Sequence, residues 1–248
     1  MLQGVFPPVP TPFEKGRFSP SRLKENISRW AQTGLAGFIV SGSNGESPYL
    51  SYEEKVQAVA AAKEAAPKLH VIAGTGLETT EGTIQLTKAC ADAGADAALI
   101  LPPHYFKGSM TDGVLIDFYQ AVADESPIPV LLYNMPKNTG INLSADLIVQ
   151  LSRHERIVGL KDSGGDIVQI SQVVAKTAPD FAVFAGSGSF LMPALAMGAK
   201  GGMMAVANVA PKECVRLMEY MEKGLLAEAR RLQQALIPLN ALVTNRFG

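Results

Sequence analysis

Short apolar runs alternate with longer stretches of helical period along the whole chain. The runs are GVFPPV (4–9), AGFIVSG (36–42), LHVIAGTG (69–76), DAALILPP (96–103), IPVLLYNMP (128–136), RIVGLKDS (156–163), FAVFAGSG (181–188) and GGMMAVANV (201–209). Runs this rich in Val, Ile, Leu and Phe predict strands covered on both faces, as in a parallel sheet. The segments between them carry helix signals. SYEEKVQAVAAAKEAA (51–66) opens on a serine cap and an acidic first turn, TTEGTIQLTKACADAG (79–94) ends on glycine, and SADLIVQLSRHE (144–155) again starts at serine. Eight strand–helix units with short loops predict a (β/α)8 TIM barrel, whose usual length is about 250 residues. An open doubly wound sheet is the alternative the pattern leaves. In GGMMAVANV the glycines and methionines fit the start of a loop as well as a strand.

Beyond the eighth run lie the helix KECVRLMEYMEKG (212–224) and the stretch LLAEARRLQQALIPLNALVTNRFG (225–248). The latter places Leu225, Ala229, Leu232, Leu236 and Val243 close to one helical stripe, with Pro238 as the expected kink. A single domain is expected, with residues 1–223 forming the barrel and 224–248 a short C-terminal helical extension of it that reads as truncated. The stripe needs cover from the barrel, a second subunit or further chain.

Composition narrows the partners. With 47% hydrophobic and 18% charged residues and a net charge of -1, the chain has no electrostatic case for nucleic acid or a membrane surface. Small molecules or further copies of itself are the expected partners. Cys90 and Cys214 lie far apart in helix-like segments, which predicts two buried free thiols and an intracellular chain. The start, MLQGVFPPVP, has no basic region before an apolar core, and no run reaches the roughly 20 apolar residues of a spanning helix. A cytoplasmic location is expected, or a mitochondrial matrix one if a transit peptide has been removed.

Candidate chemistry begins at Lys161, an uncommon residue to keep in line with buried side chains. In a barrel strand alternate residues point inward, so Ile157, Gly159 and Lys161 are expected to face the interior, with Gly159 leaving space beneath the lysine stem. The same parity turns Leu131 and Tyr133 inward on the fifth strand, and Ile39, Ser41 and Ser43 on the second. A lysine amine attacks a ketone only when uncharged, and an apolar barrel mouth favours that form. A rim lysine that reaches to water or pairs with Asp162 is the competing reading. A neighbouring phenol can shuttle the protons of imine formation, a role open to Tyr133 if it is not simply packing. The loop SGSNGE (41–46) offers Ser43, Asn44 and close backbone N–H groups to a carboxylate, or is merely a tight turn with a cap. AGSGSF (185–190) sits where barrels often bind phosphate, yet it has no Arg or Lys. His70, His104 and His154 are isolated, with no ligand spacing for zinc, and no nucleotide-binding glycine pattern is present. No metal and no cofactor is expected.

The motifs GSNGE, YNMP, GLKDSGGD, AGSG and ANVAP, in this order and spacing, resemble the dihydrodipicolinate synthase and N-acetylneuraminate lyase family of class I pyruvate aldolases across essentially the whole chain. The resemblance implies Lys161 as the Schiff-base lysine, Tyr133 as proton shuttle and Ser43 as its hydrogen-bonding partner. It places Tyr105, in PPHYF, where a tyrosine reaches into the neighbouring subunit's site, and it implies a homo-oligomer, a tetramer. Ser43 and Asn44 map to the pyruvate carboxylate site, with Ser163 and Gly186 lining the same pocket. Within the family, NTG (138–140), GSGSFLMPALAMGA (186–199) and NALVTNRFG (240–248) look like the 4-hydroxy-2-oxoglutarate aldolase branch. Asn138 stands where the synthases carry an arginine that grips a second substrate's carboxylate, a bidentate contact an amide cannot copy. Related sugar-acid lyases also lack that arginine. A folded scaffold that only binds an oxo acid is the non-catalytic alternative.

Overall fold

The computed structural model describes residues 2–246. Eight strands form one parallel sheet: β1 (Gly4–Val5), β2 (Gly37–Val40), β3 (His70–Gly74), β4 (Ala97–Ile100), β5 (Val130–Asn134), β6 (Ile157–Asp162), β7 (Ala182–Ala185) and β8 (Gly201–Gly202). Their order is β1-β8-β7-β6-β5-β4-β3-β2. The ring closes between its first and second strands through a parallel bridge from Pro8 to Ile39. There Val9 N–H donates to the Ile39 carbonyl, and Ile39 N–H to that of Pro7, each at 2.9 Å. Pro7 and Pro8 have no N–H to give, which is why β1 is short. Closure excludes the open sheet and establishes a (β/α)8 barrel.

Nine helices of six or more residues clothe it among the described residues, besides a single turn at Pro136–Thr139: α1 (Pro20–Trp30), α2 (Tyr52–Ala65), α3 (Thr80–Asp92), α4 (Asp112–Glu125), α5 (Ala145–Leu151), α6 (Ile167–Lys176), α7 (Leu191–Ala196), α8 (Pro211–Glu222) and α9 (Leu226–Ala241). The serine caps expected at Ser51 and Ser144 are present, and Thr79, not foreseen as a cap, opens α3 in the same way. Ser51 and Glu54 make a reciprocal capping box on α2, and Thr79 and Ser144 accept from Gly82 and Leu147 N–H. Each such cap contributes about 1 kcal/mol. None of these helices is long and apolar enough to cross a membrane.

Strands β2, β4, β5 and β7 are buried along their whole length, as a sheet packed on both faces requires. Phe6, Ile39, Ile72, Leu99, Leu131 and Phe184 fill the interior. The eighth run is strand for only two residues and then forms a 3-10 turn over Ala205–Asn208. A Cβ on Gly201 would collide with the Gly4 carbonyl, so β8 meets β1 backbone to backbone there. A small hairpin, Phe13–Glu14 paired with Arg17–Phe18, also escaped the pattern reading because each arm has only two residues.

The terminal stripe differs from expectation. On α9 the buried residues are Ala229, Gln233, Leu236 and Asn240, whereas Leu225 is the exposed helix cap. The covered face therefore lies one residue further round, and it contains two amides.

Candidate active site

Tyr133 and Lys161 are direct register partners across β5 and β6. The register slips by one between Val130–Ile157 and Leu131–Gly159, a bulge that leaves Val158 as the extra residue on β6. This corrects the parity read from sequence. Ile157 packs in the outer core and Val158 against the inner one, while Gly159 and Lys161 still face inward. The gap beside Gly159 is taken by a Leu131 methyl and the Ala182 carbonyl rather than lying open under the lysine.

Lys161 and Tyr133 are 2% and 4% exposed. The lysine Nζ lies 4.1 Å from the centroid of the tyrosine ring, a cation–π contact away from bulk water. Among the described residues no carboxylate lies within ion-pair distance of it. Asp162, the competing partner, points to the other side of the sheet. Its Oδ1 accepts from Gly164 and Gly165 N–H at 2.9 and 3.1 Å, and its Oδ2 from Asn134 Nδ2 at 2.8 Å. Burial pushes its carboxyl above the usual range, opposed by those hydrogen bonds. Asn134 in turn accepts from Leu143 N–H at 3.0 Å, so this outward pair pins the chain beyond both strands, while of the inward pair Tyr133, and not Lys161, lines the cavity.

The Tyr133 phenol oxygen collects hydrogen bonds from Ser43, Lys161 and Ser163. Burial pushes its pKa up, but the Lys161 charge and these three donors together outweigh it, and the phenol ends below its ordinary value. Ser163 is held by its N–H, which donates to the Asn134 carbonyl at 2.8 Å, and Gly186 N–H donates to the Asp162 carbonyl at 2.6 Å. A side chain on Gly186 would occupy the place of Ser163 Oγ, so glycine is required here for close approach. Five of the sequence candidates, Ser43, Tyr133, Lys161, Ser163 and Gly186, thus meet at one end of the barrel.

A cavity of about 470 Å3 opens from Tyr133 and Ser43 past Leu99 and Leu101 to Asn138, which is exposed at its mouth. Asn44 sits in the same 3-10 turn as Ser43 but does not line the cavity. Tyr105 is 78% exposed and lies outside it, packed edge-on against the Phe106 ring at 4.9 Å between centroids. Glu78 steadies that loop by accepting from His104 and Tyr105 N–H at 2.9 and 3.0 Å.

Ser41 and Lys55 are among the cavity residues that had no role from sequence. Ser41 is buried with φ +54°, and its Oγ has no hydrogen-bond partner among the described residues. A left-handed conformation costs a non-glycine residue about 1–2 kcal/mol, and it ends the strand parity at Val40. Lys55 reaches the wall from α2, and desolvation lowers its pKa. Only its helix position was visible in the sequence. Among the described residues there is no cluster of three or more His, Cys, Asp or Glu that could hold a metal ion.

Comparison with known proteins agrees with this geometry. The Dihydrodipicolinate synthetase family matches residues 1–247. A 4-hydroxy-tetrahydrodipicolinate synthase of Methanothrix thermoacetophila is 38% identical over 241 residues, covering 96% of this chain and 81% of the relative. A probable mitochondrial 4-hydroxy-2-oxoglutarate aldolase of Emericella nidulans is 38% identical over 240 residues, covering 94% and 78%. The crystal structure of a dihydrodipicolinate synthase from Bacillus anthracis superposes with a TM-score of 0.93 at 32% identity, over 98% of this chain and 83% of that one. With its barrel and its full-length match, the chain belongs to the dihydrodipicolinate synthetase family and is an enzyme of its pyruvate-dependent aldolase and lyase type.

Proposed function

We propose that the protein is a class I aldolase that cleaves 4-hydroxy-2-oxoglutarate to pyruvate and glyoxylate through an imine on Lys161. The observation that carries this reading is the buried Lys161 amine, without a carboxylate partner among the described residues, set in register against a Tyr133 phenol. In this mechanism the amine attacks the C2 ketone and the resulting carbinolamine loses water to give an iminium. The electrons of the C3–C4 bond flow into the iminium as the 4-hydroxyl gives up its proton, and glyoxylate departs. Protonation of the remaining enamine at C3 and addition of water return pyruvate and the free lysine. Tyr133 moves protons during addition and water loss, a role suited to a phenol whose pKa is depressed. Ser43 and Ser163 orient that phenol, and Ser43, with Gly186 beside Ser163, supplies the carboxylate end, whereas Asn44, which does not line the cavity, is left without a side-chain contact to substrate. Tyr105, outside its own chain's cavity, completes the site of a neighbouring copy in a homo-oligomer.

The most specific support for this aldehyde is Asn138 at the cavity mouth, an amide where the synthases are expected to carry arginine. A second reading rests on the relative from Methanothrix thermoacetophila, a 4-hydroxy-tetrahydrodipicolinate synthase. It makes the partner of pyruvate aspartate semialdehyde. Steady-state turnover of both substrates separates them. Higher kcat/KM on 4-hydroxy-2-oxoglutarate is expected, and equal or better condensation with aspartate semialdehyde overturns the choice.

A further inference from the structure

The C-terminal helix α9 buries a face in which apolar and amide residues alternate: Ala229, Gln233, Leu236, Asn240. Gln233 and Asn240 are 6% and 2% exposed. A buried amide brings no stability over a well-packed leucine unless its polar atoms are met, so its presence calls for an explanation in what it holds. Both amides hold one segment, the loop after β7 and the start of α7 that follows it. Gln233 Nε2 donates to the Gly188 carbonyl at 2.7 Å, and its Oε1 accepts from Met192 N–H at 2.8 Å. Asn240 Nδ2 donates to Ser187 Oγ and Ser189 Oγ at 3.1 and 2.9 Å, while its Oδ1 accepts from Gly188 N–H at 3.3 Å.

That loop begins at Gly186, which hydrogen-bonds the Asp162 carbonyl and leaves room for Ser163 Oγ. Further on, the Phe190 ring abuts Gly165, in the loop after β6. A chain of contacts therefore runs from α9 through residues 186–190 to Ser163, and from Ser163 to the Tyr133 phenol. We propose that Gln233 and Asn240 are positioning residues: they clamp the loop after β7 so that Gly186 and Ser163 present a preformed carboxylate pocket beside Lys161. The proposal rests on the imine reading above, and its test separates the two.

Pyruvate is titrated against each protein, the imine is trapped with borohydride, and the half-saturating concentration and final trapped fraction are read by mass spectrometry, beside the melting temperature. In Asn240→Leu the half-saturating pyruvate is expected to rise about tenfold, the equivalent of one or two lost net hydrogen bonds, with the trapped fraction at saturation unchanged. Ser187→Ala/Ser189→Ala should show a similar rise, and adding Asn240→Leu to it should change little more, because the partners act as one unit. A wild-type protein that is never trapped refutes the imine reading and this proposal with it. A trapped wild type beside a folded Asn240→Leu with unchanged half-saturation refutes the positioning role alone. If Asn240→Leu does not fold, Ser187→Ala/Ser189→Ala decides by the same criterion, since it only trims two side chains of the loop.

Discussion

Tyr133→Phe separates the chemistry proposed for the phenol from its packing. The ring stays under Lys161 Nζ, so their contact and the interior packing survive. What is lost is one oxygen that accepts from Ser43, Lys161 and Ser163. Both serines are half-buried and can turn toward water, so the cost in stability should be only about 1 kcal/mol. The cost in rate is larger. A positioned proton shuttle contributes about 10²- to 10⁴-fold, or about 3–5 kcal/mol of barrier, to each step it serves. Borohydride quenching of a pyruvate reaction at timed intervals measures imine formation directly, and steady-state aldol cleavage measures the whole cycle. Both should fall by at least a hundredfold in Tyr133→Phe while the melting temperature moves by a few degrees. The pH dependence adds a signature. Because the phenol ionises below its ordinary value of 10, wild-type kcat/KM should change at an alkaline pH under 10, and that transition should vanish in the variant. A folded Tyr133→Phe that forms the imine within threefold of the wild-type rate refutes the proton-shuttle assignment.

Asp162→Asn removes a buried charge yet should destabilise the protein by about 1–3 kcal/mol in urea unfolding, because the new amide nitrogen must face either Asn134 Nδ2 or the Gly164 and Gly165 N–H groups. Unchanged stability would show that the outward pair does not pin the loops. Since the native carboxyl titrates above its usual value, the unfolded chain releases that proton at lower pH. The contribution of Asp162 ionisation to stability is therefore complete below its unfolded pKa and declines as pH rises through its native one. A wild-type minus variant stability difference that falls with pH across this range is expected, and one that rises contradicts it. Burial pushes both Cys90 and Cys214 up to about 12, so neither should react with a thiol reagent at pH 8 in the native protein, and both should react once it is unfolded. Rapid native modification of either one would contradict its burial.

Much of the barrel was legible because its strands are apolar on both faces and thus stand out from the helices as uninterrupted runs. Lys161 stood out for the same reason, as a cation inside such a run. Side-chain facing departs from strict alternation where the strands themselves are interrupted. The bulge at Val158 reverses the facing of Ile157 while leaving Lys161 inward, and the left-handed Ser41 stops the second strand before Ser43. Neither event has a residue-type signature. β8 is brief because Gly201 meets the Gly4 backbone, a long-range contact invisible to a local window. The α9 stripe was set too far toward Leu225 because Gln233 and Asn240 look like solvated positions. Only the loop after β7, more than forty residues earlier in the chain, supplies the partners that allow them to be buried. The Asn134–Asp162 pair was missed in the same way, although the parallel dipeptides Tyr133–Asn134 and Lys161–Asp162 at the ends of adjacent strands hint at it in retrospect.

Borohydride reduction in the presence of pyruvate tests the proposed chemistry most directly. The folded protein should gain the mass of one reduced pyruvate, and peptide mapping should find it on Lys161 and nowhere else. A folded protein that gains no mass, or one modified at another lysine, would contradict the assignment of Lys161 as the nucleophile.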